Sequence, residues 1–458
     1  VSLRDIWTYI DDGLKVAGAD YVEIRVQIGE STEINFRGSS LDVLTTQMDA
    51  GGAVRVLVKG SWGFTSFNEL KDIPSRVRQA VEQAKTLGGG DVHLAEVSPV
   101  IDSLRSFQGR DPLTVPLEQK VDLLREYVEI VRQADPRIQT ALARYREVGW
   151  KQYLATSEGT RIEDDRRDMA LVVTAVAKDA ENVQRAFVSV GDSQDFDALT
   201  SLHHRVQEAA RLAVSLLDAP PVKGGVYPVV LDGTMTGLFA HEAFGHLSEA
   251  DHVHENPKLR ELMVIGKRFG PAFLNLADGA DLPGFRGSYR YDDEGVPSRK
   301  TYLIKDGVLV GRLHSRETAA RMGEAPTGNA RAINYRWPPI VRMTNTYIEP
   351  GQASLEDLLE GIREGVFVRQ GSGGETAMEM FTFTASEAYM IRNGRIAELV
   401  RNVSLTGNVF ETLMEIEAIG REMAFHTGGG CGKGGQVPLP VTTGGPAIKL
   451  RRCTVGGE

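Results

Sequence analysis

Apolar residues recur along this chain with two different periods, and the change of period marks out its elements. Ile6, Ile10 and Leu14 return at helical spacing with Asp11, Asp12 and Lys15 between them. That is an amphipathic helix, not the unbroken apolar run of a secretory leader. Val22, Ile24, Val26 and Ile28 then alternate with Glu23, Arg25 and Gln27, the period of a half-buried strand. Further strands are expected at 34–37, 41–47, 53–59 and 63–66, with Gly51-Gly52 and Gly60 as turns, then a helix over 70–87. Pro116 opens a longer helix whose Leu117, Val121, Leu124, Val128 and Val131 share one face. Strands follow at 138–147, 152–156, 160–162, 169–177 and 183–191, and a helix over 197–217. Meander plus helix therefore occurs twice, which points to an internal duplication.

The segment Ala219-Pro220-Pro221-Val222-Lys223-Gly224-Gly225 reads as a boundary between residues 1–220 and 221–458. Beyond it a short apolar strand at 227–231 leads into a helix from about Thr234 to His254. Asp232 or Thr234 is its N-cap, and Asn256-Pro257 stops it. Short strands are expected at 300–304, 308–313, 340–347, 381–391 and 396–405. The predicted class is α+β: an N-terminal α/β domain of strand meanders and long helices, and a β-rich C-terminal domain, sandwich-like or barrel-like, carrying the 234–254 helix.

At 458 residues the chain exceeds one ordinary domain, and its net charge of -10 argues against nucleic acid as partner. No apolar run approaches a membrane span. The two cysteines, Cys431 and Cys453, exclude a disulfide framework and make a reducing cytoplasm the expected location.

The chemistry concentrates in His241-Glu242-Ala243-Phe244-Gly245-His246. Imidazole is the commonest protein ligand of zinc, and a glutamate beside the first ligand is placed to act as base on a zinc-activated water. Histidines on the familiar zinc helix stand four apart; here they stand five apart. On a regular helix that is about 500° of rotation, roughly 140° out of register. A π-bulge restores the register, and Gly245 is a residue that tolerates the distortion. Catalytic zinc needs a third protein ligand. Nearby candidates are Glu249, Asp251, His252, His254 and Glu255; distant ones are His314, His426, Cys431 and Cys453. Cys431 is attractive because it sits among glycines, Gly428-Gly429-Gly430-Cys431-Gly432, and a thiolate binds zinc strongly. Cys453 reads as a strand core position. His203 and His204 are expected to face solvent, and His252 and His254 to lie on a solvated helix end. Asp292-Asp293-Glu294-Gly295 lacks the alternating acids of a calcium loop and reads as an acidic turn. The glycines at 371–374 and 428–430 are not followed by the Lys-Ser/Thr of a phosphate loop.

These residues resemble the TldD/PmbA family of metallopeptidases. The resemblance rests on the motif at 241–246 and on Asp292-Asp293-Glu294-Gly295-Val296-Pro297, Ala325-Pro326-Thr327-Gly328-Asn329-Ala330-Arg331 and Arg342-Met343-Thr344-Asn345-Thr346. It continues through Thr384-Ala385-Ser386-Glu387-Ala388-Tyr389, Cys431-Gly432-Lys433 and the end from Leu450 to Gly457. It covers the region after Pro221, and in the first half Gly52 to Ser66. Because the His-Glu-x-x-x-His motif is present, the chain resembles the TldD branch and not TldE (PmbA), which lacks it. The resemblance implies zinc held by His241, His246 and Cys431 with Glu242 as the catalytic carboxylate. It implies cleavage of unfolded or extended peptides, and a homodimer or a heterodimer with a TldE/PmbA-like paralogue. Without the resemblance two other readings stay open: a metal-dependent amidase on small molecules, and a non-catalytic peptide-binding subunit with a structural metal.

Overall fold

The computed structural model describes residues 3–377 and 379–457; Val1 and Ser2 of the leading segment lie outside the described residues. The fold is α+β, and two sheets organise it. The first has seven strands. Tyr21–Arg37, Ser40–Val58 and Ser61–Phe67 make one antiparallel meander; Ile138–Thr156, Arg161–Asp179 and Asn182–Asp192 make another. They join edge to edge, with Ile24 opposite Ala155 and Phe36 opposite Ala143. Ile101–Arg105 adds in parallel to Arg161–Asp179. Helices Leu3–Leu14 and Ile73–Leu87 bracket the first meander, and Leu117–Arg132 and His203–Asp218 the second. One unit, helix–three strands–helix, thus occurs twice, matching the repeated sequence pattern. The apolar periodicity places the cores: Ile6, Ile10, Ile24, Val54 and Val77 pack in one half, Leu124, Val128, Val173, Val206 and Ala210 in the other.

The strands are longer than expected. Gly51-Gly52 does not turn the chain but lies within Ser40–Val58, opposite Gln27 and Val26. A Cβ on Gly51 would stand 2.5 Å from the Tyr335 ring, so the glycine answers to close approach rather than reversal. Gly60, at φ +75°, does make its turn.

The second sheet has eleven strands. Five of them close into a ring: Gly225–Leu231, Glu364–Ala377, Met380–Arg392, Ser404–Asn408 and Thr442–Gly456, the last pairing back to the first. Closure removes the free edges and makes this sheet barrel-like. Leu276–Gly279, Lys300–Lys305, Val308–Leu309 and Asn345–Ile348 extend it on one side. The strands expected at 340–347 and 396–405 are each broken in two, the second near Asn402, whose φ is +60°. Glu364–Ala377 and Ile416–His426 carried no clear strand signal, the former because glycines 371–374 sit at a bulge in its pairing. We propose the stretch 219–225, between the two sheets, as the division into residues 1–220 and 221–458.

The acidic turn is present but buried. Asp292, Asp293 and Glu294 are 2%, 6% and 1% exposed; Asp292 accepts from the backbone N–H groups of Glu294, Val296 and Ala330, while Asp293 and Glu294 reach across to the first sheet. Glu294 pairs with Arg55 at 2.6 Å and Asp293 with Arg25 at 3.1 Å, both arginines coming from the first sheet. Burial of these two ion-paired carboxylates is tolerable because guanidinium groups neutralise them, whereas burial and the neighbouring Glu294 push the Asp292 carboxyl up. Among the described residues no helix is long and apolar enough to cross a membrane.

Helix Gly233–Ala240 lies directly on this framework. Phe239 meets Phe381 and Phe383 edge-on, at 5.6 and 6.2 Å between ring centroids. Gly237 rests on the backbone of Thr442–Gly456, where a Cβ would come within 2.3 Å of the Gly444 nitrogen. Gly237→Ala is therefore expected to cost about 1–3 kcal/mol by overpacking. Urea unfolding checks this; unchanged stability would contradict the close approach.

Candidate metal centre

Strand Gly225–Leu231 delivers the chain to Asp232, whose Oδ1 accepts from the Met235 N–H at 2.8 Å and from Thr234 Oγ1 at 2.9 Å. Asp232 is thus the N-cap, as one of the two expected residues. Gly233–Ala240 is α-helical, and His241–Gly245 is a single π-helical turn. The widened turn that the five-residue spacing requires is present. It brings the His241 and His246 rings to 5.1 Å between centroids.

Gly245 contributes differently from the expectation. Its dihedrals, φ -57° and ψ -53°, are ordinary helical values open to any residue. A Cβ there would lie 2.1 Å from Met343 Sδ, so the glycine makes room for Met343. Nor does the helix run on to His254. Ser248 O and Ala250 N–H bond to Leu313, which pulls Glu249 into an extended conformation (φ -73°, ψ 114°). A new short helix, Ala250–Glu255, begins there, and Asn256 caps Pro257–Leu262.

Cys431 arrives on a hairpin formed by Gly430–Lys433 and Gln436–Pro440. Gly434 and Gly435, at φ +56° and +78°, make its two-residue turn. The fully buried Arg342 clamps the hairpin by donating to Cys431 O (2.8 Å) and Gln436 O (3.2 Å). One ligand atom each from His241, His246 and Cys431 then lies within 4.8 Å of the others. Cys431 Sγ is 3.5 Å from His246 Nε2. Tetrahedral zinc with ordinary bond lengths separates sulfur from nitrogen by about 3.6 Å. His241 is 3% exposed and its Nδ1 has no hydrogen-bond partner. Two imidazoles and a thiol brought together, one imidazole buried with a ring nitrogen that has no partner, are a donor set that suits zinc. The residues present therefore fit the metal.

The other candidate ligands lie elsewhere or are otherwise engaged. Asp251 binds Lys433, His252 is 44% exposed, and His254 meets Arg321. His314 is held by Thr318 and Glu324, Cys453 is buried in strand Thr442–Gly456, and His426 belongs to no ligand group among the described residues. His203 and His204 are exposed, as expected. Glu242 Oε2 stands 4.0 Å from His246 Nε2, and these two side chains are 21% and 22% exposed, so the group is open on their side. Glu249, a candidate ligand by position, instead has its Oε2 3.0 Å from His246 Nδ1, on the ring edge away from Cys431. Lys433 and Arg342 enter the sequence analysis only as parts of family motifs; their roles beside the thiol depend on contacts with distant segments.

The charges are mutually arranged. Burial disfavours a charged His246, but Glu249 and Cys431 outweigh it and raise its pKa to about 10. Burial also opposes the Cys431 thiolate, yet His241 and His246 pull it down to about 4. Glu249 is buried too, and Lys433 with His246 holds it at about 2.

Sequence comparison decides the family. The PmbA/TldA metallopeptidase C-terminal domain matches residues 224–457, the central domain 110–217 and domain 1 residues 22–87. The chain belongs to the TldD/PmbA family. It is 47% identical over 441 residues to a metalloprotease of Synechocystis, covering 96% of this chain and 95% of the relative. A zinc metalloprotease TldD homologue of Saccharolobus solfataricus is 32% identical over 446 residues, 96% and 97% of the two chains. TldE from Thermococcus kodakarensis has the same fold, with a TM-score of 0.77 at 19% identity and 99% of each chain covered. The protein is thus a TldD/PmbA-family metallopeptidase whose clustered donors include the histidines of its His-Glu-x-x-x-His motif.

In the metal-free protein the Cys431 thiolate is expected to form as pH rises through about 4, followed by thiolate ultraviolet absorbance. Cys453, pushed up to about 12 by burial, stays silent in that range. Absorbance that first rises near pH 9.0, the ordinary thiol value, would contradict this charge arrangement.

Proposed function

We propose that this metallopeptidase is a zinc enzyme in which His241, His246 and Cys431 hold the ion and Glu242 is the catalytic carboxylate. The observation that carries the reading is the convergence of three donor atoms within 4.8 Å, with Glu242 4.0 Å from His246 on the partly open side. When bound, zinc supplies Lewis-acid polarisation of the scissile carbonyl and acidifies a water. Glu242 takes the proton from that water as its oxygen adds to the carbonyl carbon. It then returns the proton to the nitrogen as the C–N bond breaks, leaving a carboxylic acid and an amine. Glu242 needs access to solvent and substrate for this, and its partial exposure provides it. Cys431 and the two imidazoles take no part in proton transfer; they fix the position at which the carbonyl is polarised.

The substrate belongs to the same proposal. Unfolded or extended peptides can present backbone to a strand-rich surface, whereas a compact protein has already paired its own. Assembly as a homodimer, or with a TldE/PmbA-like paralogue, and residence in a reducing cytoplasm, which suits a free thiol ligand, complete it.

Glu242→Ala is expected to keep zinc and lose hydrolysis by about 10²–10⁴-fold. His241→Ala, His246→Ala and Cys431→Ser are expected to lose the metal itself. Metal content measured beside peptide hydrolysis separates these cases. Retained activity in Glu242→Ala removes it from the reaction and favours a structural metal in a peptide-binding subunit. Casein-like and short unstructured peptides are expected to be cut, and stable compact domains not. Equal rates on a folded protein and its denatured form would refute that selectivity, and cleavage confined to small amides would favour the amidase.

A further inference from the structure

Glu249 is the least accounted-for group near the metal centre. Its side chain is 0% exposed, it leaves the helical path because residues 248–250 pair with Leu313, and its Oε2 lies 3.0 Å from His246 Nδ1. The same oxygen is 3.3 Å from Lys433 Nζ. Lys433, its side chain 7% exposed, also reaches Asp251 at 2.6 and 2.8 Å and Val341 O at 2.8 Å. A coordinating imidazole must be neutral and carry its proton on the other nitrogen. An acceptor at Nδ1 fixes that proton there and turns Nε2, 3.5 Å from Cys431 Sγ, into the free donor atom. Such an acceptor, buried as a carboxylate, needs a counter-charge. Lys433 supplies it, two residues beyond Cys431 on one hairpin.

We infer that Glu249 is a positioning residue that fixes the tautomer and orientation of His246, and that Lys433, 3.3 Å from the same carboxylate oxygen, is its paired counter-charge in this buried place. Docking of the 430–440 hairpin then does two things at once: it brings the thiol to the histidines and neutralises the group that aims one of them. The inference rests on the proposed zinc site. Helix capping alone does not explain the arrangement, since Glu249 makes no side-chain hydrogen bond at the start of Ala250–Glu255.

The test is zinc affinity of the full chain by chelator competition, with the absorption spectrum of the cobalt(II)-substituted protein as a second readout. Glu249→Ala is expected to weaken zinc by about 10–100-fold and to perturb the cobalt spectrum. Glu249→Gln, which keeps an acceptor oxygen and the volume, should fall between it and the wild type; it also serves if the alanine variant does not fold. Asp251→Asn loosens Lys433 without touching His246 and should lose less affinity than Glu249→Ala. Wild-type affinity and spectrum in both Glu249 variants would overturn the inference, as would a loss in Asp251→Asn equal to that in Glu249→Ala, which marks a brace only. A wild-type chain that takes up no zinc overturns the proposed function, and this inference with it; a zinc-binding wild type with indifferent Glu249 variants overturns this inference alone.

Discussion

Everything at the centre of this molecule depends on one backbone constraint: two imidazoles five residues apart have to face the same point. A regular helix sets them about 140° apart, so the chain widens one turn. The π-helical stretch His241–Gly245 has no favourable local sequence that would form it alone, and neighbours hold it on both sides. Before it, Asp232 caps the helix and Gly237 lets the helix sit on the backbone of Thr442–Gly456. After it, pairing with Leu313 ends the helix, and Met343 fills the space that a side chain at Gly245 would take. The ring of strands is the rigid support for this distortion.

Much of this was legible in the sequence because it is local. Apolar periodicity located the helices around 73–87, 117–132 and 203–218, and Asp232 marked the start of the motif helix. The five-residue spacing of His241 and His246 by itself demands a widened turn. What was hidden depends on partners far away in the chain. Gly51-Gly52 looks like a turn until Tyr335 is seen packed against it. The helix looks continuous to His254 because nothing nearby announces Leu313. Asp293 and Glu294 read only as part of an acidic turn because their partners, Arg25 and Arg55, lie in the other half of the chain. Glu249 was visible only as one more acidic group beside the motif. Its link to His246 follows from the backbone break, and its neutralisation from Lys433 on the distant hairpin.

The charge pattern gives the centre a second level of order. With protons alone, the favoured state pairs a cationic His246 with an anionic Cys431, and anionic Glu249 stands behind the imidazole with Lys433 behind it. Signs alternate along that line. A divalent cation entering between the imidazoles and the thiolate replaces a proton without reversing the alternation, since the thiolate is already formed and the carboxylate already stabilises positive charge on the ring. The widened turn brings the two imidazoles together, and the 430–440 hairpin adds the thiol and the lysine that extend the alternation.

X-ray absorption at the zinc edge of the purified full-length protein tests the central claim most directly. The account predicts one zinc per chain with a single sulfur near 2.3 Å, imidazole scattering from two rings and at least one further light atom, a shell in keeping with ordinary zinc distances. A metal shell without sulfur, one closed by several sulfurs, or one with imidazole from a single ring would contradict it.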